Sequence, residues 1–317
     1  MKDSKTAHFD LVKLGNQKYI RNLLRIESPQ SIASLASKAS LTYPTVASLL
    51  KELERKREVV QSKNLESCGG RPGIQYELDV NFQQGLVLCF NEHSLSGKVF
   101  NVYGTLLKEY SVDISQDITV EELILIVGSI HKQYSKLTAI SIGIPGVVWE
   151  NEILYLPKYP KLEGKEMSLR LQEEFLVEVF IENDLNAISM AEVTDHNTFA
   201  HITYVNQCIG AGIVINGEIF SGHKGYAGEL EYLCSDYKDQ KESLITCIKA
   251  LTCVLNLPLI YVSGENITEE MVALILERVT ECIPPDRIPQ IVVAENLDMK
   301  YEEGLLKKIV SYWKNLI

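Results

Sequence analysis

AISIGIPG, residues 139–146, decides how the larger part of this chain folds. Small and β-branched residues run without a charge until Pro145-Gly146 stop them, the pattern of a buried strand that ends in a tight loop. Upstream, Gly85-Leu-Val-Leu-Cys-Phe90, Gly97-Lys-Val-Phe-Asn-Val-Tyr-Gly104 and Thr105-Leu-Leu-Lys-Glu-Tyr110 read as an antiparallel meander turning at Gly104, with a helix over 123–134. Downstream, a helix over 168–174 leads to the strand Val179-Phe-Ile181, which runs into Glu182-Asn-Asp184 and a helix over 185–192. A second half opens with Ala200-His-Ile-Thr-Tyr-Val205 and Ala211-Gly-Ile-Val-Ile215, and Asn216-Gly217 signals a type I′ hairpin. The pattern predicts an α/β body over 81–317, made of two similar lobes (about 81–195 and 196–317) with a cleft between them. No period of 20–50 residues recurs, so the body is not a solenoid.

Ahead of the body, residues 1–80 follow another rhythm. Ile20, Leu23 and Leu24 mark a helix, with Asn16 as its N-cap, and the chain breaks at Ser28-Pro29. Ile32, Leu35, Ala36 and Ala39 mark a short second helix. Val46, Leu49, Leu50 and Leu53 form the i, i+3, i+4, i+7 seam of a third, with Pro44 in its first turn. Val59-Val60-Gln61 and Ile74-Gln-Tyr76-Glu-Leu78 then read as two strands joined through Gly69-Gly-Arg-Pro-Gly73. Three helices and a hairpin are the layout of a winged helix-turn-helix, whose third helix fits a major groove about 12 Å wide. Tyr43, Thr45, Ser48, Lys51 and Arg55 lie off the apolar seam and are the expected DNA contacts; Arg71 in the glycine-rich wing is the sixth. A three-helix protein-interaction module with solvated lysines is the competing reading.

Charge supports that division. Residues 1–80 carry 13 Lys/Arg against 9 Asp/Glu, whereas residues 81–317 carry 18 against 33, so only the first segment suits a polyanion. Hydrophobic residues at 46% and charged residues at 23% suit a chain with real cores. No apolar run approaches the ~20 residues that cross a bilayer, and the start has no secretion-signal core. The seven cysteines are odd in number and hold no CxxC pair, which predicts small core fillers in a reducing cytoplasm rather than a disulfide framework or zinc site.

Gly143-Ile-Pro-Gly-Val-Val148, Glu182-Asn-Asp-Leu-Asn-Ala187 with Ala191-Glu192, Gly210-Ala-Gly-Ile-Val-Ile-Asn-Gly217 and Gly225-Tyr-Ala-Gly-Glu229 together resemble the ROK family of repressors and sugar kinases. The Gly-Gly-Arg-Pro-Gly wing looks like that of the family's repressors, such as those for xylose and N-acetylglucosamine. The resemblance implies an actin-like/hexokinase-like two-lobed fold, a sugar or sugar-phosphate in the cleft, and a homodimer or tetramer. It places Asn183, Asp184 and Glu229 at the family's sugar-contacting positions, with Asp184 at the position of the kinases' base. Read from the residues alone, Glu182-Asn-Asp184 is first a polar helix start capped by Asp184, and Ala227-Gly-Glu229 in the family's place turns the reading toward a binding site.

The departures from the family set the functional expectation. The first phosphate loop of the kinases, Asp-x-Gly-Gly-Thr, has Cys89-Phe-Asn-Glu-His93 as its counterpart; the second, Gly-Thr-Gly-x-Gly, has Asn206-Gln-Cys-Ile-Gly210. Tyr232 stands where the family has a zinc-ligating His, and His223 is the nearest substitute. Phosphoryl transfer depends on positioning and charge neutralisation, so the expected protein is a non-enzymatic transcriptional regulator of sugar-utilisation genes. It would need no cofactor, metal or membrane and would bind an inverted-repeat operator. The alternatives are a sugar kinase with divergent phosphate loops and a regulator whose body no longer binds sugar.

Overall fold

A computed structural model of the chain describes residues 2–62, 74–193, 196–234 and 239–316. Helix α1 (Lys2–Ile26) sets Ile20 and Leu24 into a small core. Asn16 therefore lies inside a helix rather than at its N-cap, because an isolated glycine and asparagine (Gly15-Asn16) weaken a helix without ending it. Strand β1 (Gln30–Ser31) leads into α2 (Ile32–Ala39), where the Ser31 hydroxyl accepts from the Ser34 amide. Helix α3 (Tyr43–Arg55) is capped the same way by Thr42, and it buries Val46, Leu49, Leu50 and Leu53 in the core that holds Leu24 and Leu35. Strands β2 (Val59–Gln61) and β3 (Gln75–Leu78) form the expected antiparallel hairpin, and β1 adds a third strand in the order β1-β3-β2. The hairpin tip at 63–73, and with it Arg71, lies outside the described residues.

The body is two sheets of the same design. In the first, β4 (Gln84–Phe90), β5 (Ser94–Asn101) and β6 (Leu106–Asp113) form the meander. Helix α4 (Val120–His131) then leads to β7 (Leu137–Ile144), parallel to β4. A Thr119/Glu122 capping box starts α4 three residues before the expected position. A small hairpin not expected from the sequence, β8 (Val147–Trp149) and β9 (Glu152–Tyr155), and helix α5 (Glu166–Phe175) precede β10 (Glu178–Asn183) and α6 (Asp184–Glu192). The second sheet holds β11 (Phe199–Val205), β12 (Cys208–Ile215) and β13 (Glu218–Ile219), then α7 (Gln240–Leu255), β14 (Leu259–Gly264), α8 (Glu269–Thr280) and β15 (Gln290–Val293). The orders β10-β7-β4-β5-β6 and β15-β14-β11-β12-β13 match strand for strand, with a central first strand, a meander on one side and parallel strands on the other. Asn216 and Gly217, with φ of 54° and 81°, make the expected hairpin between β12 and β13.

The last helix corrects the expected second lobe. Helix α9 (Leu297–Asn315) packs on the first sheet and on α6. Its Tyr301, Leu305, Ile309 and Trp313 share a core with Val87, Cys89 and Ala139. The approach is close because glycines clear the way. A Cβ on Gly304 would lie 1.7 Å from the Ala187 carbonyl oxygen, and one on Gly85 would lie 2.8 Å from Ile309. The head is not independent of the body either: Val102 and Tyr103 enter the head core, and the Leu78 amide donates to the Tyr103 hydroxyl at 2.8 Å.

The cysteines need a correction as well. Cys89, Cys234 and Cys247 are buried, but Cys208, Cys253 and Cys282 are exposed and fill no core. Among the described residues, no helix is long and apolar enough to cross a membrane.

Candidate functional site

Between the sheets, α6 points its N-terminus at the cleft, and each residue of Glu182-Asn183-Asp184 takes a separate task. Glu182 is buried; it accepts from the Asn183 amide and the Asn186 side chain, both at 3.0 Å, and pairs with Lys308 of α9. Asn183 rather than Asp184 is the N-cap: its Oδ1 accepts from the Asn186 amide at 2.9 Å, and its Nδ2 donates to the Gly146 carbonyl at 3.0 Å. That leaves the Asp184 carboxylate facing the cleft, with one oxygen accepting from the Leu185 amide at 2.8 Å. Although the residue is part-exposed, its carboxyl is closely surrounded. Burial raises its pKa to about 6, against backbone bonds and the charge of Lys158, which lower it.

The second sheet closes on α6 through glycines. A Cβ on Gly212 would stand 2.1 Å from the Ser189 hydroxyl oxygen and 2.4 Å from the Leu185 carbonyl oxygen, so only glycine lets β12 lie against the helix. Gly228, at φ 96°, brings the Ala227-Gly-Glu229 segment beside β12, where the Ala211 amide donates to the Gly228 carbonyl at 2.8 Å. Asn183, Asp184 and Glu229 thereby line one cavity of about 520 Å³. Burial, followed by the charges of Glu231 and Asp184, raises the Glu229 pKa. A carboxylate accepts hydrogen bonds from sugar hydroxyls, and Asp184, with its pKa near 6, can also take a proton.

Several lining residues were not singled out from the sequence as site residues. Lys158 reaches the cavity from the Leu156-Pro-Lys-Tyr-Pro160 loop and pairs with Glu92 at 3.3 Å. The loop is held by Tyr159, whose hydroxyl donates to the Asn91 carbonyl at 2.6 Å. Its prolines and tyrosines were the available signal, but nothing local ties them to Glu92, 66 positions earlier. His223 is exposed and does not line the cavity.

Both phosphate-loop counterparts are tight turns. Asn206 and Gln207, with φ of 52° and 66°, make a two-residue connection between β11 and β12, with Val205 opposite Cys208. Residues 91–93 connect β4 to β5, with Phe90 opposite Leu95. Neither turn has a run of glycine amides to surround a phosphate. The zinc position does not fit a metal. Cys234 and Cys247 turn to each other in the core, with their sulfurs 3.3 Å apart, Cys253 is exposed, and Tyr232 offers a phenol. Among the described residues, no group of three His, Cys, Asp or Glu is placed to hold an ion.

On the head, α3 turns its other face outward. Tyr43, Ser48, Lys51 and Arg55 are exposed, whereas Thr45 is half-buried and shares a 2.8 Å hydrogen bond with the Thr42 hydroxyl. Among the described residues Lys51 and Arg55 have no ion-pair partner, while neighbouring Lys56 and Lys13 both reach Glu52. Head and body meet through α1 and α9. Lys18 and Asn22 donate to the Asn315 and Lys314 carbonyls at 3.0 and 3.1 Å, and Arg25 lies 5.9 Å from the Trp313 ring centre.

Duplicated lobes of this strand order around an interlobe cleft define the actin-like class to which sugar kinases belong, here with a winged head. The chain belongs to the ROK family: the ROK family model matches residues 92–253. The xylose repressor of Bacillus spizizenii is 25% identical over 242 residues, which cover 73% of this chain and 63% of the repressor. The match thus spans less than two thirds of that relative's length. A ROK family transcriptional regulator of known structure, a homologue of the Escherichia coli MLC protein, aligns with a TM-score of 0.65 at 17% identity, over 95% of this chain and 99% of its own. A ROK hexokinase from Thermus thermophilus aligns with a TM-score of 0.54 at 17% identity, over 70% and 96%. At these identities the solved structures show the shared fold.

Proposed function

We propose that this chain is a sugar-responsive transcriptional regulator, acting as a repressor. It reads an inverted-repeat operator as a homodimer or tetramer in the cytoplasm and catalyses no reaction. The observation that carries this reading is the pairing of a winged head with a sugar-type cleft whose two phosphate-loop positions are closed turns. Tyr43, Thr45, Ser48, Lys51 and Arg55 contact the major groove and its phosphates, with Arg71 of the wing as a further contact. Asn183, Asp184 and Glu229 hold sugar hydroxyls. A ligand that binds the closed cleft more tightly than the open one shifts the two lobes. The shift travels along α9, which touches α6 at one end and α1 at the other, to the head.

The test begins with full-length protein and duplexes selected from a random pool, measured by fluorescence anisotropy. The selected sites are expected to be inverted repeats, because a two-fold dimer presents two heads. Lys51→Ala together with Arg55→Ala should weaken binding to every sequence and lower the salt slope by about 2, near one for each phosphate left without its cation. A double variant with unchanged affinity and slope would remove α3 from the interface.

The kinase alternative draws on one observation, an Asp184 pKa of about 6 at the base position. Sugar-dependent ATP turnover by the purified chain would establish it. A thermal-shift screen that finds no stabilisation by any sugar at millimolar concentration would leave a body that serves only assembly.

A further inference from the structure

The cleft's charge and its mouth say which saccharides it can take. Among the described residues, four carboxylates line it, those of Glu92, Asp184, Glu229 and Glu231, against one cation, Lys158, which Glu92 already pairs. No arginine is among these lining residues. A phosphate group there would meet like charges at short range in a partly desolvated space, with neither a guanidinium fork nor a glycine nest to offset them. A neutral hydroxyl meets the opposite situation, because each carboxylate oxygen is an acceptor for it.

One tyrosine lines the cavity, and two more adjoin lining residues in the chain. Tyr155 lines the cavity and is 44% exposed; Tyr226 and Tyr232 are 49% and 61% exposed. Tyr226 sits between two lining residues, Gly225 and Ala227. Tyr232 has Tyr226 and Tyr155 near enough to raise the pKa of its phenol, after desolvation and Glu231, with Glu229 adding to them. The lobes meet at this rim, since a Cβ on Gly225 would lie 2.3 Å from the Val148 carbonyl oxygen of the β8–β9 hairpin. Exposed tyrosine rings offer an apolar face beside a polar edge, which suits the C–H face of a pyranose with its hydroxyls at the rim. The cavity, at about 520 Å³, has room beyond one sugar ring and lies within the common range of roughly 300–1,000 Å³ for ligand pockets.

We propose that the effector is an uncharged saccharide of two or more residues, its first ring held by Asn183, Asp184 and Glu229 and its second stacked on the rim formed by Tyr155, Tyr226 and Tyr232. This rests on the sugar-sensing reading above. The experiment is isothermal titration of the full-length chain with matched sets: xylose and xylobiose, glucose and cellobiose, maltose, N-acetylglucosamine and its β-1,4 dimer, and the 6-phosphates of glucose and N-acetylglucosamine.

One disaccharide is expected to bind at least tenfold more tightly than its monosaccharide, and no phosphate more tightly than its parent sugar. Tyr155→Ala with Tyr232→Ala should cost the disaccharide tenfold or more and change monosaccharide binding less than threefold. A sugar phosphate preferred tenfold over its parent would overturn the proposal while leaving sugar sensing intact. So would tyrosine variants that alter only the oligomeric state, or that weaken monosaccharide and disaccharide alike. If none of the probes binds, this proposal and the sensing reading fall together.

Discussion

Asp184 carries its charge against its surroundings. Its folded pKa of about 6 stands above the 3.8 of a free aspartate, so between about pH 4 and 6 the unfolded chain releases this proton before the folded one does. The contribution of Asp184 to stability is therefore full below about pH 4 and declines as pH rises through that window. Asp184→Asn, which keeps an acceptor for the Leu185 amide, should be more stable than the parent by up to about 3 kcal/mol at pH 7. The difference should vanish near pH 4 in urea denaturation. His201 acts in the opposite direction. Burial holds its pKa at about 3, so its contribution is present above the ordinary histidine range and is lost as pH falls. The difference between variant and parent thus isolates Asp184, whereas the parent's own profile does not. A variant no more stable at pH 7 than at pH 4, relative to the parent, would contradict the burial of this charge. The same substitution should abolish the sugar response and leave operator affinity within about threefold, because Asp184 lies in the cleft and α3 on the head.

At the scale of elements, two glycines make opposite predictions. Gly304 lies in α9 where it crosses α6, and any Cβ there meets the Ala187 carbonyl oxygen of a neighbouring helix backbone. Backbone cannot rotate away as a side chain can, so Gly304→Ala should lose at least about 2 kcal/mol. Gly15 lies in α1 with nothing within 4 Å of its Cβ position. There alanine removes only the entropy cost of a helical glycine, and Gly15→Ala should gain about 0.5–1 kcal/mol. Both are read from chemical denaturation midpoints at constant m-value. Two helical glycines look alike in the sequence; the neighbouring helix alone separates them. The same limit explains which elements were legible. The seam at Val46, Leu49, Leu50 and Leu53 and the Asn216-Gly217 turn follow from local periodicity and backbone preference, so they could be read directly. Residues 147–155 form a hairpin whose strands are only three and four residues long, too short for a period to show.

Across the whole molecule, α9 makes one object of head and cleft. Lys308 pairs with Glu182 at the start of α6, and Lys307 donates to the Met190 and Ala191 carbonyls at its end. Further along α9, towards its C-terminus, Trp313 lies beneath Arg25, which donates to Gln83 and Asn22 at 3.0 and 2.9 Å. Burial lowers the Arg25 pKa to about 10, the mark of a cation held between two bodies. Arg25→Met keeps much of the stem and removes the fork. Its sugar and operator affinities, each measured alone, should stay within about threefold of the parent. The effect of sugar on operator affinity should shrink by about fivefold or more, within the usual span of coupling energies. Anisotropy titrations with and without saturating sugar read this directly. Coupling unchanged in Arg25→Met would place the route elsewhere.

Local sequence on its own determined the class of each segment: a helical head with a basic, polar third-helix face, an α/β body in two halves, and polar residues where strand β10 meets α6. Such features depend on neighbours within a few positions, where periodicity, caps and turn residues act. Tertiary structure alone decided the division of labour in Glu182-Asn183-Asp184, the arrival of Lys158 and the tyrosines at the cleft, and the return of α9 to the first sheet. Those outcomes depend on surfaces from distant parts of the chain meeting, and the clearances at Gly85, Gly212 and Gly304 become visible only when the opposing element is in place.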